Sequence, residues 1–338
     1  MADKKYVVTG TPHIRDNAGV NKIMLDVIIA LVPAGIAGIY FFGIEAAMVM
    51  VVTVAACVFF EWAYKKVTKQ ACTIRDLSAV VTGILLAFNL PASAPLWMPI
   101  VGAFVAIIIA KELFGGIGQN FINPALAGRA FLTAAYPVFM LNVPEPLRTL
   151  GANLNLITQS TPHDLFTEAT PLQVMKWTHH IPTQADYLNA FIGNIPGMIG
   201  EVSVIALLLG FVYLLVKKII SWRIPVVYVA TVAVFTFVFG RHGGLFTGAW
   251  LYEILLGGLM LGAIFMATDY SSSPVTPLGQ IIMGIGCGVL TFAIRHYGGY
   301  PEGVAYSILL MNLFVPLIDK YTKPKVYGVT KTKKEAKA

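Results

Sequence analysis

Apolar and polar residues come in blocks along most of this chain. Ten apolar stretches, at 23–42, 44–64, 77–90, 95–113, 122–140, 198–216, 224–240, 249–268, 278–294 and 302–318, are separated by mostly short polar links. The longer stretches reach the roughly 20 residues that carry an α-helix across a bilayer. The alternation and high charge that a large soluble α/β core would require are missing. The stretches at 77–90 and 122–140 are short or interrupted by Asn, Pro or Arg. They predict helices whose polar backbone is covered by partner helices. The pattern as a whole predicts an all-α polytopic membrane protein with about ten transmembrane helices.

The links divide the chain into a polar segment 1–22, a first block of five spans over 23–140, a long loop 141–197, a second block of five over 198–318, and a basic tail 319–338. The two blocks are alike in organisation. Phe88-Asn89-Leu90-Pro91, a link with Pro95, Lys111 and Gly115-Gly116 recur as Met266-Ala267-Thr268-Asp269, a link with Pro274 and Pro277, Arg295 and Gly298-Gly299, at offsets of 178 to 184. An odd number of spans per block gives the two halves opposite topology, which predicts two five-helix inverted repeats. In such repeats, broken segments at matching positions meet near the membrane midplane and line a site. Here these are the stretches around Asn89-Leu90-Pro91 and Thr268-Asp269, and around Gly115 to Asn123 and Gly298 to Gly303.

Charge sets the expected orientation. With residue 1 on the cytoplasmic side, the cytoplasmic segments carry 19 Lys and Arg and the external ones four, Arg129 lying within a span. That bias predicts cytoplasmic termini and an external 141–197 loop in a bacterial inner membrane. Segment 1–22 has no apolar core of its own and the first apolar run lacks a cleavage site, so this run is expected to remain as an anchor. Of the residues, 57% are hydrophobic and only 12% charged, too little charge for a soluble domain. The net charge of +7 is concentrated on the cytoplasmic side and in the tail, which suits anionic lipid and gives no reason to expect nucleic acid. Cys57, Cys72 and Cys287 form no CxxC pair, so no iron–sulfur cluster is expected from this chain alone.

Ionisable groups inside spans are costly and usually functional. Arg129, beside Asn123, has two readings: a partner for a bound ligand, and a partner for an acidic residue of another helix. Asp269, at the end of the eighth span, is a candidate to hold an ion or a ligand hydroxyl, or to cap the next element. Asp26 and Glu253, within spans, are weaker candidates for an ion path. Glu45, Glu61, Glu112, Glu201, Glu302 and Asp319 lie at span ends, where reaching out to water is the simpler expectation. His163, His179 and His180 lack metal-ligand spacing, and no metal site is expected. Gly257-Gly258 and Gly284 to Gly288 are expected to be helix-packing surfaces.

The long loop holds Asp164-Leu165-Phe166-Thr167-Glu168-Ala169-Thr170-Pro171-Leu172. Asp164, Thr167, Ala169 and Thr170 fit D-x-x-[ST]-x-A-T, the pattern by which flavin transferases select a threonine. FMN ends in a phosphate, so a phosphoester to the Thr170 hydroxyl would fix the cofactor and leave its ring untouched. The competing reading is an ordinary exposed Thr-Pro turn.

These residues carry a resemblance over nearly the whole chain. Pro12-His13-Ile14-Arg15, Ile23 to Leu31, Asn123-Pro124-Ala125-Leu126-Ala127-Gly128-Arg129, the threonine segment, Ala267-Thr268-Asp269 to Pro277, and Gly298 to Ala305 are similar to those of one membrane-protein family. That family includes RnfD, of the Rnf complex (a ferredoxin:NAD oxidoreductase), and NqrB, of the sodium-pumping NADH:quinone oxidoreductase. One departure is Glu168, where the family pattern has glycine. The resemblance implies covalent FMN on Thr170 and non-covalent riboflavin within the bundle. It also implies an electron relay coupled to export of sodium ions or protons. The implied partners are the flavin-bearing RnfG, the membrane proteins RnfA and RnfE, and the iron–sulfur and NAD-binding RnfB and RnfC. The short segment before the first span resembles the Rnf branch more than the quinone-linked one. A component of the quinone-linked enzyme, a channel or secondary transporter, and a scaffold for redox partners are the alternative readings.

Overall fold

A backbone in hydrocarbon must satisfy its own N–H and C=O groups, so the apolar blocks fold as helices. The computed structural model describes residues 19–146, 167–178, 182–240, 246 and 248–324. Arg148, His163, Asp164, His179, His180 and the tail beyond residue 324 lie outside them. Among the described residues, five helices are long and apolar enough to cross a membrane: α1 (Val20–Phe42), α2 (Ile44–Val67), Trp97–Phe114, Pro277–Tyr297 and Val304–Thr322. The shorter α3 (Ser78–Phe88) follows α2. The helix from Trp97 starts as α4 (Trp97–Phe104) and loosens into a π turn at Val105–Ile109. Beyond it, α5 (Pro124–Ala135) and α6 (Pro137–Leu141) are separated at Tyr136, where Pro137 removes a backbone donor.

The described residues of the long connection between the two halves form short elements. A two-residue strand pair, β1 (Val143–Pro144) with β2 (Thr167–Glu168), precedes α7 (Pro171–Thr178) and α8 (Gln184–Ile192). The hydropathy pattern predicts a sixth helix from residue 198. Instead this stretch enters the bundle as irregular backbone and becomes α9 (Val204–Val216) only after Ser203 caps it. The irregular part pairs with the broken end of α3: Ile199 N–H donates to Leu90 O (3.1 Å) and Gly200 N–H to Phe88 O (3.0 Å). A Cβ at Gly200 would fall 2.2 Å from the Phe88 ring, so this approach requires glycine.

Next come α10 (Arg223–Val238) and a broken segment. That segment is α11 (Trp250–Leu255), a Leu256-Gly257-Gly258 break, α12 (Leu259–Leu261) and a π turn over Gly262–Met266. α13 (Pro277–Tyr297) and α14 (Val304–Thr322) close the bundle. Gly284 and Gly288 on α13 meet Val227 and Thr231 of α10 at contact distance, the small-residue seam expected of them.

Large apolar side chains such as Ile36, Val51, Leu209 and Leu317 point outward, as befits a surface solvated by lipid. The chain is therefore a multi-pass membrane protein. Its halves meet where α1 packs on α9, with Tyr213 donating to Asp26 (2.7 Å) and Gly210 lying against the Ala30 carbonyl. A Cβ at Gly210 would sit 2.3 Å from that oxygen. Gly210→Leu should cost about 1–3 kcal/mol through overpacking. A lowered thermal unfolding midpoint in detergent checks this, and an unchanged midpoint would count against the α1–α9 contact.

Candidate functional site

Arg129 organises the centre of the bundle. Asn123 starts α5, its side-chain oxygen accepting from Ala125 N–H (3.0 Å) and Leu126 N–H (3.3 Å), with Pro124 in the first turn. One and a half turns on, the Arg129 guanidinium is buried. It donates to Glu201 Oε1 (2.9 Å), to Glu302 Oε2 and to Asn89 Oδ1. Of the two readings that sequence offers for it, the acidic-partner one is therefore realised. Glu201 sits on the irregular segment pinned to α3, and Glu302 lies just before α14.

Glu61, Glu112, Glu201 and Glu302 correct the expectation that span-end acids reach out to water. Each is partnered by a cation inside the protein instead. Glu61 Oε2 accepts from Lys111 Nζ (2.6 Å), and Glu112 lies 2.8 Å from Lys65 Nζ. Lys111, near the end of the 95–113 stretch, is itself buried and also donates to Ser78 Oγ (2.7 Å). Withdrawn from water, each charge is tolerable only beside an opposite one. Glu45 and Asp319 remain only half-buried.

Gly257-Gly258 do more than pack helices. Gly257 has φ +66°, and a Cβ there would fall 2.8 Å from Glu302 Oε1. A Cβ on Gly258 would fall 2.6 Å from Glu201 Oε1. The break thus leaves room for both carboxylates. It also frees carbonyls, which fully buried Arg295 satisfies by donating to Glu253 O (2.8 Å) and Leu256 O (3.2 Å).

Thr170 stands at the edge of this cluster. It caps α7 in a reciprocal box: Gln173 N–H donates to Thr170 Oγ1 (3.3 Å), and Thr170 N–H donates to Gln173 Oε1 (2.8 Å). The half-buried threonine lines a cleft together with Arg129, Glu302, Tyr300, Tyr306 and Met140. A smaller adjoining cleft brings Thr170 together with Glu201 and Glu302. Lys176, further along α7, donates to the carbonyls of Gly298 and Tyr300. It thereby ties the threonine helix to the loop that carries Glu302.

A second cleft opens among the start of α1, α3, the start of α5 and the 268–271 turn. It brings Asn123 together with Asp269, Asn120, Thr268 and Ser271. Asp269 Oδ2 accepts from Ser271 Oγ and Ser272 Oγ (both 3.0 Å), so it caps a turn while lining the cleft. Asn123 Nδ2 donates to Met266 O (3.2 Å), and Asn89 Nδ2 approaches the Met266 sulfur (3.7 Å). Arg129, Asn89, Met266 and Asn123 therefore join the two clefts by contact.

Asp26 and Glu253 belong to neither cleft. Asp26 links α1 to α9, and Glu253 accepts from Thr236 (3.2 Å). Sequence reasoning missed Glu201, Glu302 and Asn89 as partners of Arg129. The signal available was Arg129 itself, a buried cation that needs acids from elsewhere. Asp164 lies outside the described residues, and Thr167 contributes its backbone to β2.

A multi-pass helical protein, with a charge cluster at its core and polar clefts joined through it, has the build of an integral membrane component of an ion or electron carrier. The chain belongs to the NQR2, RnfD, RnfE family, which matches residues 7–328. It is 48% identical, over all of both chains, to the subunit designated D of the Na(+)-translocating ferredoxin:NAD(+) oxidoreductase complex of Acetobacterium woodii. It is 44% identical, over 96% of each chain, to the D-designated component of the proton-translocating ferredoxin:NAD(+) oxidoreductase complex of Clostridium ljungdahlii. At 34% identity, over 96% of this chain and 98% of the relative, it matches the D-designated component of an ion-translocating oxidoreductase complex of Actinobacillus succinogenes.

Removing the guanidinium would strand two buried carboxylates. Arg129→Ala should therefore destabilise the protein by about 3–5 kcal/mol. Adding Glu201→Gln and Glu302→Gln should recover part of that loss. Thermal unfolding of the three proteins checks this, and an Arg129→Ala midpoint equal to wild type would refute the cluster.

Proposed function

We propose that this chain is a membrane component of an ion-translocating ferredoxin:NAD oxidoreductase complex. In this reading it relays electrons through FMN esterified to Thr170 and riboflavin held in the second cleft. The observation that carries the reading is the position of Thr170. Its hydroxyl caps a helix at the rim of a cleft that reaches Arg129, within a family whose relatives are named as subunits of such complexes.

The residues suit both groups. At Thr170 a phosphoester would sit at the N-terminus of α7, where the helix dipole favours an anion. In the second cleft, Ile23, Val27, Leu85 and Phe265 offer apolar walls for a ring. Asn120, Asn123, Thr268, Asp269 and Ser271 offer the donors and acceptors that ribityl hydroxyls need. A flavin supplies one- and two-electron chemistry, so it bridges carriers of both kinds. The residues between the clefts exclude water and hold the guanidinium in place.

The proposed membrane arrangement is ten spans in two inverted five-helix repeats, with both termini cytoplasmic and the Thr170 loop external. The Lys and Arg bias supports the orientation. The repeat is supported by the matched Lys111 and Gly115-Gly116 in the first half and Arg295 and Gly298-Gly299 in the second, at offsets of 184 and 183. Electrons would enter and leave through partner subunits that bind ferredoxin and NAD, coupled to export of Na+ or H+. The names of the relatives at 48% and 44% identity differ on that ion.

Intact mass and extractable flavin test the reading on chain co-expressed with a flavin transferase. Wild type should gain one FMN less one water and release one further, unmodified flavin on denaturation. Thr170→Ala should lose the mass gain and keep the extractable flavin; Asn123→Leu should do the reverse. Absence of any mass gain, with the transferase active on another target, would sink the Thr170 assignment.

A further inference from the structure

We propose that Thr170 is modified only while α7 is lifted off the bundle, and that Lys176 is the latch whose closure ends the modification. This rests on the reading that Thr170 carries FMN, and it adds when the hydroxyl can be reached and which residue controls that access.

The docked form engages the attachment segment on both sides of Ala169. Before it, the backbone of Thr167 and Glu168 is paired with Pro144 and Val143 of β1. After it, Thr170 is half-buried, and its hydroxyl accepts from Gln173 N–H as the cap of α7. The helix that follows is held down along its length. Leu172, Gln173 and Met175 are at most 4% exposed. Lys176 donates to the carbonyls of Gly298 and Tyr300, the second at 2.9 Å.

Group transfer makes demands that this form does not meet. The Thr170 hydroxyl attacks the phosphorus of the FMN half of a flavin adenine dinucleotide. The phosphoanhydride breaks, one phosphoester forms, and AMP leaves with the hydroxyl proton, so the chain gains one FMN less one water. The attacking oxygen has to come within about 3–3.5 Å of its target, inside an enzyme that also reads the residues from Asp164 to Thr170. In the docked chain the hydroxyl shares a cleft with Arg129, Glu302 and Tyr306. One side of it is therefore taken up by this protein, and the strand pair holds part of the sequence that the enzyme reads.

Lys176 is placed to control the change. Its bonds run from α7 to the turn before α14, so they exist only when the helix is down. Where opening and closing are fast, the rate of modification follows the population of the lifted form. Loss of one charge-assisted hydrogen bond raises that population about tenfold. Removing the Lys176 charge leaves the apolar contacts of Leu172 and Met175 in place.

The test uses the full chain purified without FMN, incubated with a purified flavin transferase and flavin adenine dinucleotide, with intact mass followed over time. Chain co-expressed with the transferase is measured first and should carry one FMN. Folded wild type should gain that mass slowly, and Lys176→Met about tenfold faster. Gly210→Leu, which loosens the bundle at the α1–α9 contact, should keep the wild-type rate, and this separates unlatching from a general loss of folding. A cysteine pair acts in the opposite direction. Val143→Cys with Glu168→Cys occupies facing positions of β1 and β2, within reach of a disulfide. In a Cys72→Ser background, which removes the exposed thiol, the oxidised pair should block modification and reduction should restore it. Equal rates for Lys176→Met and wild type would overturn the proposal while leaving the Thr170 reading intact. So would an oxidised pair modified as fast as the reduced one, or a Gly210→Leu protein modified as fast as Lys176→Met. A co-expressed wild type without FMN mass would instead overturn both.

Discussion

A guanidinium withdrawn from both water and lipid must find counter-charge, and much of this structure is the answer to that demand at Arg129. The acids that meet it come from far along the chain, Glu201 and Glu302. Each needs unusual backbone to get there. Glu201 arrives on an irregular segment that pairs with the broken end of α3 and passes so close to Phe88 that only glycine fits at 200. Glu302 arrives in the turn before α14, and both carboxylates occupy space left by Gly257 and Gly258. The helix break that makes the space would leave carbonyls orphaned in a dry interior, and Arg295 bonds to them. Helix breaks, glycines and ion pairs are thus one arrangement.

Much of the secondary structure was legible because hydropathy is local. A run of apolar residues declares a helix wherever it packs, and the blocks recur as α1, α2, α13 and α14 with ends shifted by a few residues. The breaks near Asn89 and Asp269 were legible for the same reason, since Asn, Pro and Asp interrupt apolar runs visibly. Partnership was less legible. Glu201 and Glu302 sit at block ends, where the nearest water is a reasonable local expectation. The three-dimensional return of residues 198–203 against α3 turns Glu201 inward, and the turn before α14 brings in Glu302. The late start of α9 at Val204 was hidden too, because residues 198–203 lead directly into an apolar run but are held by contacts with Phe88 and Leu90.

The candidate site divides along the same line. Thr170 was marked by a short local pattern, and Asn123 and Asp269 by their place in interrupted segments. Their relations were not visible in sequence. Thr170 shares a cleft with Arg129, Asn123 shares another with Asp269, and Asn89 and Met266 stand between the two. Those contacts give the functional proposal its physical form: two clefts separated by a few ordered side chains, one of which is charged and clamped. Asp26 and Glu253, also marked as intramembrane acids, have structural partners away from both clefts.

The central claim is that electrons pass through a group attached at Thr170. Ferredoxin-driven reduction of NAD, in membrane vesicles containing the whole complex, tests it most directly. The comparison is wild type against Thr170→Ala, with co-purification of the partner subunits showing that the complex is assembled. The account predicts that the assembled Thr170→Ala complex reduces NAD no faster than vesicles without the complex. An assembled Thr170→Ala complex that works at the wild-type rate would contradict it.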